Sequence, residues 1–207
     1  MAIPSTIAVA FHCLEWHAAP MPGSTGPVRL ALLPVLSDGA FRAFVQFPAG
    51  WARLGAGHYP VAEEFLVLEG DLRLNDTTWR AGGYAWVPAN RVRSASRSES
   101  GCLAFAWFSS LPRWTPGEPR ESALPCDVSL AHWRDARDLV PGGRELYAGP
   151  EHHTWIVDRP RLAGLAVPGT QWETLGLNDR TWHSGPTHEA SDDPVEEVLV
   201  RVWQLPQ

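Results

Sequence analysis

The sequence predicts an all-β protein, and three observations lead to that prediction. The 207 residues are 44% hydrophobic, enough for a core in one large domain or two small ones. Only 19% are charged, whereas Pro (19), Gly (18) and Trp (11) are abundant. Short apolar runs separated by Gly, Pro and Asn-Asp follow one another through the first half. This mixture favours short strands and tight turns over long helices.

The chain divides by composition into four parts: an N-terminal arm (1–27), a β unit (28–111), a proline-rich linker (112–128) and a second half (129–207). One short helix is expected over Ser129–Leu139, with Ser129 as its cap and apolar residues at helical spacing. The strands predicted in the β unit are Arg29–Val35, Phe41–Phe47, Glu64–Leu68, Leu72–Leu74, Tyr84–Val87 and Leu103–Phe108.

The two halves share an internal repeat. Leu74–Gly83 (LNDTTWRAGG) is echoed by Leu177–Pro186 (LNDRTWHSGP), with six of ten positions identical. In each copy an apolar run enters an Asn-Asp pair that tolerates left-handed backbone angles, as a hairpin turn requires. Chance similarity at a common turn type is the alternative. The repeat favours a duplicated β unit whose second copy has diverged.

Composition excludes several functional classes. All 17 basic residues are Arg, which removes lysine Schiff-base chemistry, pyridoxal anchoring and phosphate-loop nucleotide binding. A net charge of −6 with no run of Arg predicts neither a nucleic-acid nor a membrane partner. No basic leader or long apolar stretch is present, so we expect a cytoplasmic location. The three cysteines (Cys13, Cys102 and Cys126) form no CxxC pair, and a small molecule is the expected partner.

Two blocks carry a family resemblance. The segment Phe47–Gly70 (FPAGWARLGAGHYPVAEEFLVLEG) and the segment Gly82–Pro88 (GGYAWVP) resemble the two sequence blocks of the cupin superfamily. The resemblance is greatest to cupins of the ChrR type, named for a zinc-binding anti-sigma factor, and to bicupins related to dioxygenases. It implies a double-stranded β-helix, or cupin jelly roll, arranged as a bicupin with a degenerate second half.

In cupins these blocks supply three imidazoles and a carboxylate to one metal ion, and this chain departs from that pattern. The first His of the expected pair falls on Ala56, the second on His58, and the carboxylate on Glu63. The last imidazole falls on Val92 or Arg93. The resemblance therefore implies either a divalent metal (Fe, Zn, Mn or Ni) held by His58 and Glu63 alone, or no cofactor.

Three residues are the candidate catalytic group. His58 and Glu63 are predicted metal ligands or a metal-free general acid/base pair, and Arg93 is predicted to orient an anionic substrate group. The alternative is a relic in which Arg93 forms a salt bridge with Glu63. Gly55 and Gly57 are read as a close backbone approach or bend at the barrel mouth rather than a phosphate site.

Aromatic residues beside the two blocks are predicted to line the substrate pocket: Trp51, Tyr59, Phe65, Tyr84, Trp86 and Trp107. Strand alternation does not decide whether the face of Glu63 and Phe65 or that of Glu64 and Leu66 looks inward. In the second half, His152 or His153 with His183 and His188 is a less favoured metal site.

The leading functional hypothesis is a cupin-type small-molecule enzyme, a metal-dependent dioxygenase acting on a carbonyl or aromatic substrate. A metal-free isomerase or cyclase that uses the His58 and Glu63 pair is the second hypothesis. A non-catalytic ligand- or metal-sensing cupin of the anti-sigma-factor type is the third. A homodimer paired through sheet edges is compatible with each of them.

Overall fold

The computed structural model describes residues 7–36, 38–119, 129–132, 144–148, 152–158, 170–185 and 197–204. These residues form β-strands, turns and one short 3-10 helix, Phe11–Cys13. The chain divides into two compact units: Glu15–His132, called the N-terminal unit, and Met1–Leu14 with Trp133–Gln207, called the C-terminal unit. Within the described residues no helix is long and apolar enough to cross a membrane.

The N-terminal unit contains twelve strands among its described residues. They are β2 (Trp16–Ala19), β3 (Val28–Leu32), β4 (Phe41–Phe47), β5 (Trp51–Arg53), β6 (Gly57–His58), β7 (Glu63–Leu74), β8 (Thr77–Arg80), β9 (Gly83–Val87), β10 (Ser96–Ser98), β11 (Cys102–Phe108), β12 (Thr115–Pro116) and β13 (Ser129–His132). Its main sheet has the order β13-β9-β7-β11-β4-β3-β2, and the pairings are antiparallel.

The long strand β7 turns the sheet into a barrel. Its first part pairs with β9 and β11, and its last residues, from Asp71, pair with β8 and β10. The corner lies at Gly70, whose φ of +72° and close approach to the Gly101 carbonyl leave no room for a Cβ. A register shift between Leu103 and Ala104 accompanies the corner. Glu64–Leu68 and Leu72–Leu74 are therefore one bent strand, not two.

Strand β11 explains why the barrel has a core. All seven of its residues are buried, and it lies between β7 and β4. One face carries Cys102, Ala104, Ala106 and Phe108, which pack against the aromatic and aliphatic side chains of the barrel interior. The predicted strand Leu103–Phe108 is confirmed and extends by one residue, as does Tyr84–Val87, and Phe41–Phe47 is confirmed as it stands.

The helix prediction over Ser129–Leu139 is wrong for its first four residues. Ser129–His132 form β13, which pairs antiparallel with β9. A short apolar run reads equally well as strand or helix, and the free edge of β9 supplies the hydrogen-bond partners that decide between them. Residues 133–139 lie outside the described part of the chain.

The C-terminal unit contains a six-stranded antiparallel sheet of order β1-β17-β16-β18-β15-β14. Its core holds buried apolar side chains, among them Trp172, Val198 and Val200. Its strands are β1 (Ile7–Val9), β14 (Arg144–Ala148), β15 (His152–Asp158), β16 (Thr170–Gly176), β17 (Trp182–Gly185) and β18 (Glu197–Gln204).

The sequence repeat corresponds to the same hairpin register in both units. Trp79 pairs with Leu72 across β7 and β8, and Trp182 pairs with Leu175 across β16 and β17, seven residues apart in each case. Both tryptophans are buried. The turns differ, because Asn75 takes the left-handed φ in the first copy and Arg180 takes it in the second.

Candidate functional site

A cavity of about 260 Å³ occupies the interior of the N-terminal barrel. Side chains that alternate along β4, β7 and β11 point into it, and Phe65, Ala104, Ala106 and Phe108 form part of its wall. These residues share the face of Glu63, which answers the question that alternation left open. Most of the wall is apolar. The charged and hydroxyl-bearing residues that line it are Arg53, Tyr59, Glu63, Arg93 and Ser96.

An ion pair lies at the wall of this cavity. Arg93 Nη2 contacts Glu63 Oε2, and both side chains are largely buried. Backbone hydrogen bonds fix Arg93, because its N–H donates to the Gly57 carbonyl at 2.8 Å and its own carbonyl accepts from the Gly57 N–H at 3.1 Å. The guanidinium also lies over the Tyr59 ring, 4.7 Å from its centroid. The register places Arg93 in the barrel, paired with Glu63, as one of the sequence alternatives predicts.

A second buried cation, Arg53, lies in an aromatic surround. Its guanidinium stacks over the Trp114 ring at 3.5 Å from the centroid, with Tyr59 and Trp51 at 5.6 and 5.9 Å. Its Nη1 donates to the Tyr59 hydroxyl at 3.3 Å. The residue is 3% exposed, and no carboxylate pairs with it among the described residues. Cation–π contacts are therefore its main electrostatic support.

Among the described residues, four buried polar atoms in the cavity wall have no hydrogen-bond partner: Arg53 Nε, Arg93 Nε, Ser96 Oγ and Glu63 Oε2. The Glu63 oxygen is nevertheless paired with Arg93 Nη2 in the ion pair. Buried polar groups without partners are rare in folded proteins and are costly. The three donor atoms therefore leave hydrogen-bonding capacity for a further group in this cavity.

His58 lies near this cavity without lining it. The residue is 5% exposed, and its Nδ1 is 3.1 Å from the Gly117 carbonyl oxygen. A carbonyl only accepts, so Nδ1 is the donor in this contact. His58 is not among the residues that line the cavity with Glu63 and Arg93, and its ring contacts the segment next to β12 instead.

Three of the six predicted pocket aromatics lie in the cavity wall, and three do not. Trp51, Tyr59 and Phe65 line it. Tyr84, Trp86 and Trp107 lie on the opposite face, because Leu66 pairs with Tyr84 and Glu64 pairs with both Trp86 and Trp107. There the Tyr84 hydroxyl donates to Glu64 at 2.6 Å, and Trp107 packs edge-on against Phe105. Their assignment to the pocket is wrong because their side chains lie on the other face of the sheet. Proximity to the two sequence blocks does not determine which face a side chain takes.

Two residues of the cavity wall, Arg53 and Trp114, are not among the residues that the sequence predicts for the site. Arg53 stands two residues after Trp51, and that i, i+2 spacing in a strand was the signal that both share a face. Trp114 lies in the segment predicted as linker, yet the neighbouring strand β12 pairs with β6 and the indole lines the cavity. Nothing local in the sequence distinguishes Trp114 from a linker tryptophan.

The C-terminal unit holds a buried polar cluster whose groups contact one another. Glu173 accepts from Trp182 Nε1 at 2.9 Å and from Arg201 Nη1 at 3.2 Å. Of the histidines proposed there, His153 pairs with Glu145 at 3.0 Å, and His152 packs against Tyr147. His188 lies outside the described residues.

Comparisons of the whole structure identify the fold. A crystal structure of a "putative dioxygenase" from Nostoc punctiforme superposes with a TM-score of 0.70, covering 96% of this chain and 81% of that one at 13% identity. The chain has a cupin fold. The E. coli protein Ylba matches with a TM-score of 0.58 over 97% of this chain and 90% of its own, at 9% identity.

The bicupin arrangement is supported over the full length. A deletion mutant of oxalate decarboxylase from Bacillus subtilis, a bicupin, matches with a TM-score of 0.56 at 10% identity, covering 99% of this chain and 78% of that one. The predicted all-β jelly roll is confirmed. No protein-family model matches the sequence, and no curated protein is similar to it in sequence.

The described side chains at the position of the cupin metal site do not fit a metal ion. Among the described residues no group of three or more His, Cys, Asp or Glu side chains comes together. His58 offers one nitrogen, and the Glu63 carboxylate is in contact with a guanidinium. Affinity for a divalent cation depends on the number and charge of ligands, and a fixed positive charge at Arg93 opposes a second cation.

Proposed function

We propose that this chain is a metal-independent cupin whose N-terminal barrel binds a small, largely apolar organic molecule. One observation supports the proposal above all others. Glu63, the residue at the position of the cupin carboxylate ligand, is paired with Arg93 in the wall of a mainly apolar cavity. Concave, mainly apolar pockets with a few convergent polar groups are typical of small-molecule sites.

The dioxygenase activity implied by the resemblance would need a metal ion that these residues do not fit. The Glu63 carboxylate is paired with the Arg93 guanidinium, and no second imidazole joins His58 among the described residues. The likeness to the Nostoc protein concerns the fold and does not transfer its activity.

A metal-free proton transfer needs an acid and a base at one cavity. Glu63 lines the cavity, whereas His58 is held at the Gly117 carbonyl. These contacts do not favour the His58 and Glu63 pair of the second hypothesis, and ligand binding is the function that the geometry supports best.

The first test is elemental analysis of untagged protein purified without chelator, before and after incubation with Fe(II), Mn(II), Ni(II) or Zn(II). We expect substoichiometric metal in the wild type, in Glu63→Gln and in Glu69→Gln. Glu69 is the matched control, because it is an exposed carboxylate on the same strand. Stoichiometric metal in the wild type and Glu69→Gln that is lost in Glu63→Gln would overturn metal independence.

The second test blocks the cavity. Ala19 lines it from the edge strand β2, and its neighbour Ala18 is exposed. Titration calorimetry with benzamide, a small neutral aromatic compound, should show binding to the wild type and to Ala18→Phe. Ala19→Phe should abolish the binding, because its ring fills the cavity. Equal binding by both variants would place the ligand elsewhere and contradict the proposal.

A further inference from the structure

Three of the partnerless atoms in the cavity wall are hydrogen-bond donors. They are Arg53 Nε, Arg93 Nε and Ser96 Oγ, and each is buried. A guanidinium only donates, so the two arginine atoms can be satisfied only by an acceptor. The cavity is otherwise apolar, and none of these residues has a further partner among the described side chains.

The strand register brings two of these donors together. Ser96 on β10 is directly opposite Arg53 on β5 and opposite Leu74 on β7, so the three side chains share one face. Directly opposed residues of antiparallel strands have Cβ atoms about 5 Å apart. Ser96 Oγ and Arg53 Nε therefore line the same part of the wall, and one acceptor group can reach both.

The charges of the cavity do not balance. Arg53 and Arg93 contribute two positive charges, and Glu63 contributes one negative charge. Arg53 is the residue left without a carboxylate among the described residues, and its cation–π contacts do not neutralise it. A buried unpaired charge is costly, so a single negative charge supplied by a ligand would balance the site.

We propose that Arg53 and Ser96 bind the carboxylate of a small apolar or aromatic monocarboxylic acid. This inference rests on the proposed function and names its ligand class. A guanidinium edge matches a carboxylate geometrically, and a monoanion leaves the cavity neutral. The rings of Trp51, Tyr59 and Trp114 surround Arg53, so the body of the acid extends along the apolar wall.

The cavity volume limits the size of the acid. At about 260 Å³ it lies just below the range of roughly 300 to 1,000 Å³ found for drug-sized ligands. With roughly 30 Å³ for each water in the liquid, this is space for about nine waters, so an acid of about ten non-hydrogen atoms fits. Benzoate and hexanoate are suitable test ligands.

The experiment compares each acid with its neutral amide: benzoate with benzamide, and hexanoate with hexanamide. Titration calorimetry is performed on the wild type, Arg53→Met, Ser96→Ala and Arg97→Met. Arg97 is the control, because it is an exposed arginine beside Ser96 on the same strand. Arg53 has no carboxylate partner among the described residues, so Arg53→Met leaves no buried charge unpaired, and Ser96→Ala is a milder second variant.

We expect at least one acid to bind the wild type and Arg97→Met about tenfold or more tightly than its amide, the effect of one charge-assisted hydrogen bond. Arg53→Met should remove that preference, and Ser96→Ala should reduce it. Equal affinity for acid and amide would overturn this inference and leave the proposed pocket standing. If none of the four compounds binds the wild type, both this inference and the proposed function are overturned. Tighter binding of phenyl phosphate than of benzoate would contradict the carboxylate class.

Discussion

Gly57 illustrates how one residue shapes the candidate site. A Cβ at Gly57 would overlap the Trp114 ring and the Thr115 carbonyl, whereas one at Gly55 would meet nothing. We therefore predict that Gly57→Ala displaces Trp114 from Arg53, lowers the thermal midpoint by several degrees and weakens ligand binding. Gly55→Ala should change neither.

Differential scanning calorimetry and the benzamide titration check this prediction. A Gly57→Ala variant as stable as Gly55→Ala, with unchanged affinity, would show that Trp114 does not depend on the missing side chain. The sequence interpretation of Gly57 as a close backbone approach agrees with the structure, although its neighbour Trp114 could not be foreseen.

The hydrogen bonds of the Asp71 carboxylate predict a contribution to stability that is lost in acid. Burial raises the pKa of its carboxyl, but hydrogen bonds from the Ser100 side chain and from the backbone of Ser100 and Glu99 together outweigh burial, so the pKa lies below 3.8. Because the folded-state pKa is depressed, the stabilisation is present above about pH 3.8 and is lost as the pH falls through the folded-state value.

Asp71→Asn should therefore lower the free energy of unfolding by about 1 kcal/mol at pH 7. Urea unfolding of both proteins between pH 7 and pH 2.5 should show the difference shrinking below about pH 3.8. A difference that stays constant across this range would mean that ionisation of Asp71 is not its source.

Arg53 and Arg93 show what residue-level reading of a sequence can and cannot find. The sequence points to Arg93 because the last imidazole of the cupin pattern is expected four or five residues after Pro88, at Val92 or Arg93. Arg53 has no such position, and an arginine in a strand is ordinarily expected at the surface. Its burial depends on Trp114, sixty-one residues further along the chain, a distance that no local pattern spans.

At the level of elements, the repeated hairpin predicts unequal roles for its two asparagines. Asn75 has a φ of +53°, accepts from the Ser94 N–H at 2.7 Å and donates to the Val92 carbonyl at 3.2 Å. These bonds hold the segment on both sides of Arg93. Asn178, its counterpart, is not among the described residues of positive φ.

Asn75→Ala should lower the free energy of unfolding by about 2 kcal/mol, from left-handed strain and lost hydrogen bonds. It should also weaken benzoate binding, because Arg93 is less firmly placed. Asn178→Ala should cost less than half as much and leave binding unchanged. Urea unfolding and calorimetry of the pair test this, and equal losses would mean that the two turns are equivalent despite their backbone difference.

The strand faces were harder to predict than the strands themselves. Apolar runs between turn residues located β4, β9 and β11 to within a residue, because turn chemistry and alternation are local. Strand β11 is buried on both faces, so its sequence carries no polar alternation to mark the inward side. The sequence therefore does not show which side chains of β11 face the cavity, and the structure places Ala106 and Phe108 there rather than Trp107.

At the scale of the whole molecule, the sequence predicts the duplication of the β unit, but it does not predict which unit the first strand of the chain joins. The repeat and the cupin blocks predicted two related β units, because both depend on short motifs. Strand β1 comes first in the chain and yet pairs with β17 of the C-terminal unit, while β2 pairs with β3 in the N-terminal unit. The partner of an edge strand is set by long-range pairing, on which three or four residues of sequence give little information.

The different pairing partners of β1 and β2 lead to a prediction about these two strands. Because the N–H groups of consecutive strand residues point in opposite directions, two adjacent prolines must remove at least one bond of a ladder. The double variant Ala8→Pro/Val9→Pro should therefore accelerate hydrogen exchange in β17, whose residues 182–184 pair with β1. The variant Ala18→Pro/Ala19→Pro should accelerate exchange in residues 28–32 instead.

Hydrogen exchange measured by mass spectrometry separates the two responses, since the peptides come from different units. Unchanged protection of residues 182–185 in the first variant would mean that β1 does not pair there in solution. Equal loss of protection in both peptides for both variants would mean that the units unfold together. Separate responses would show that residues only ten apart in sequence stabilise different units, so that the C-terminal unit is not formed by one continuous stretch of chain.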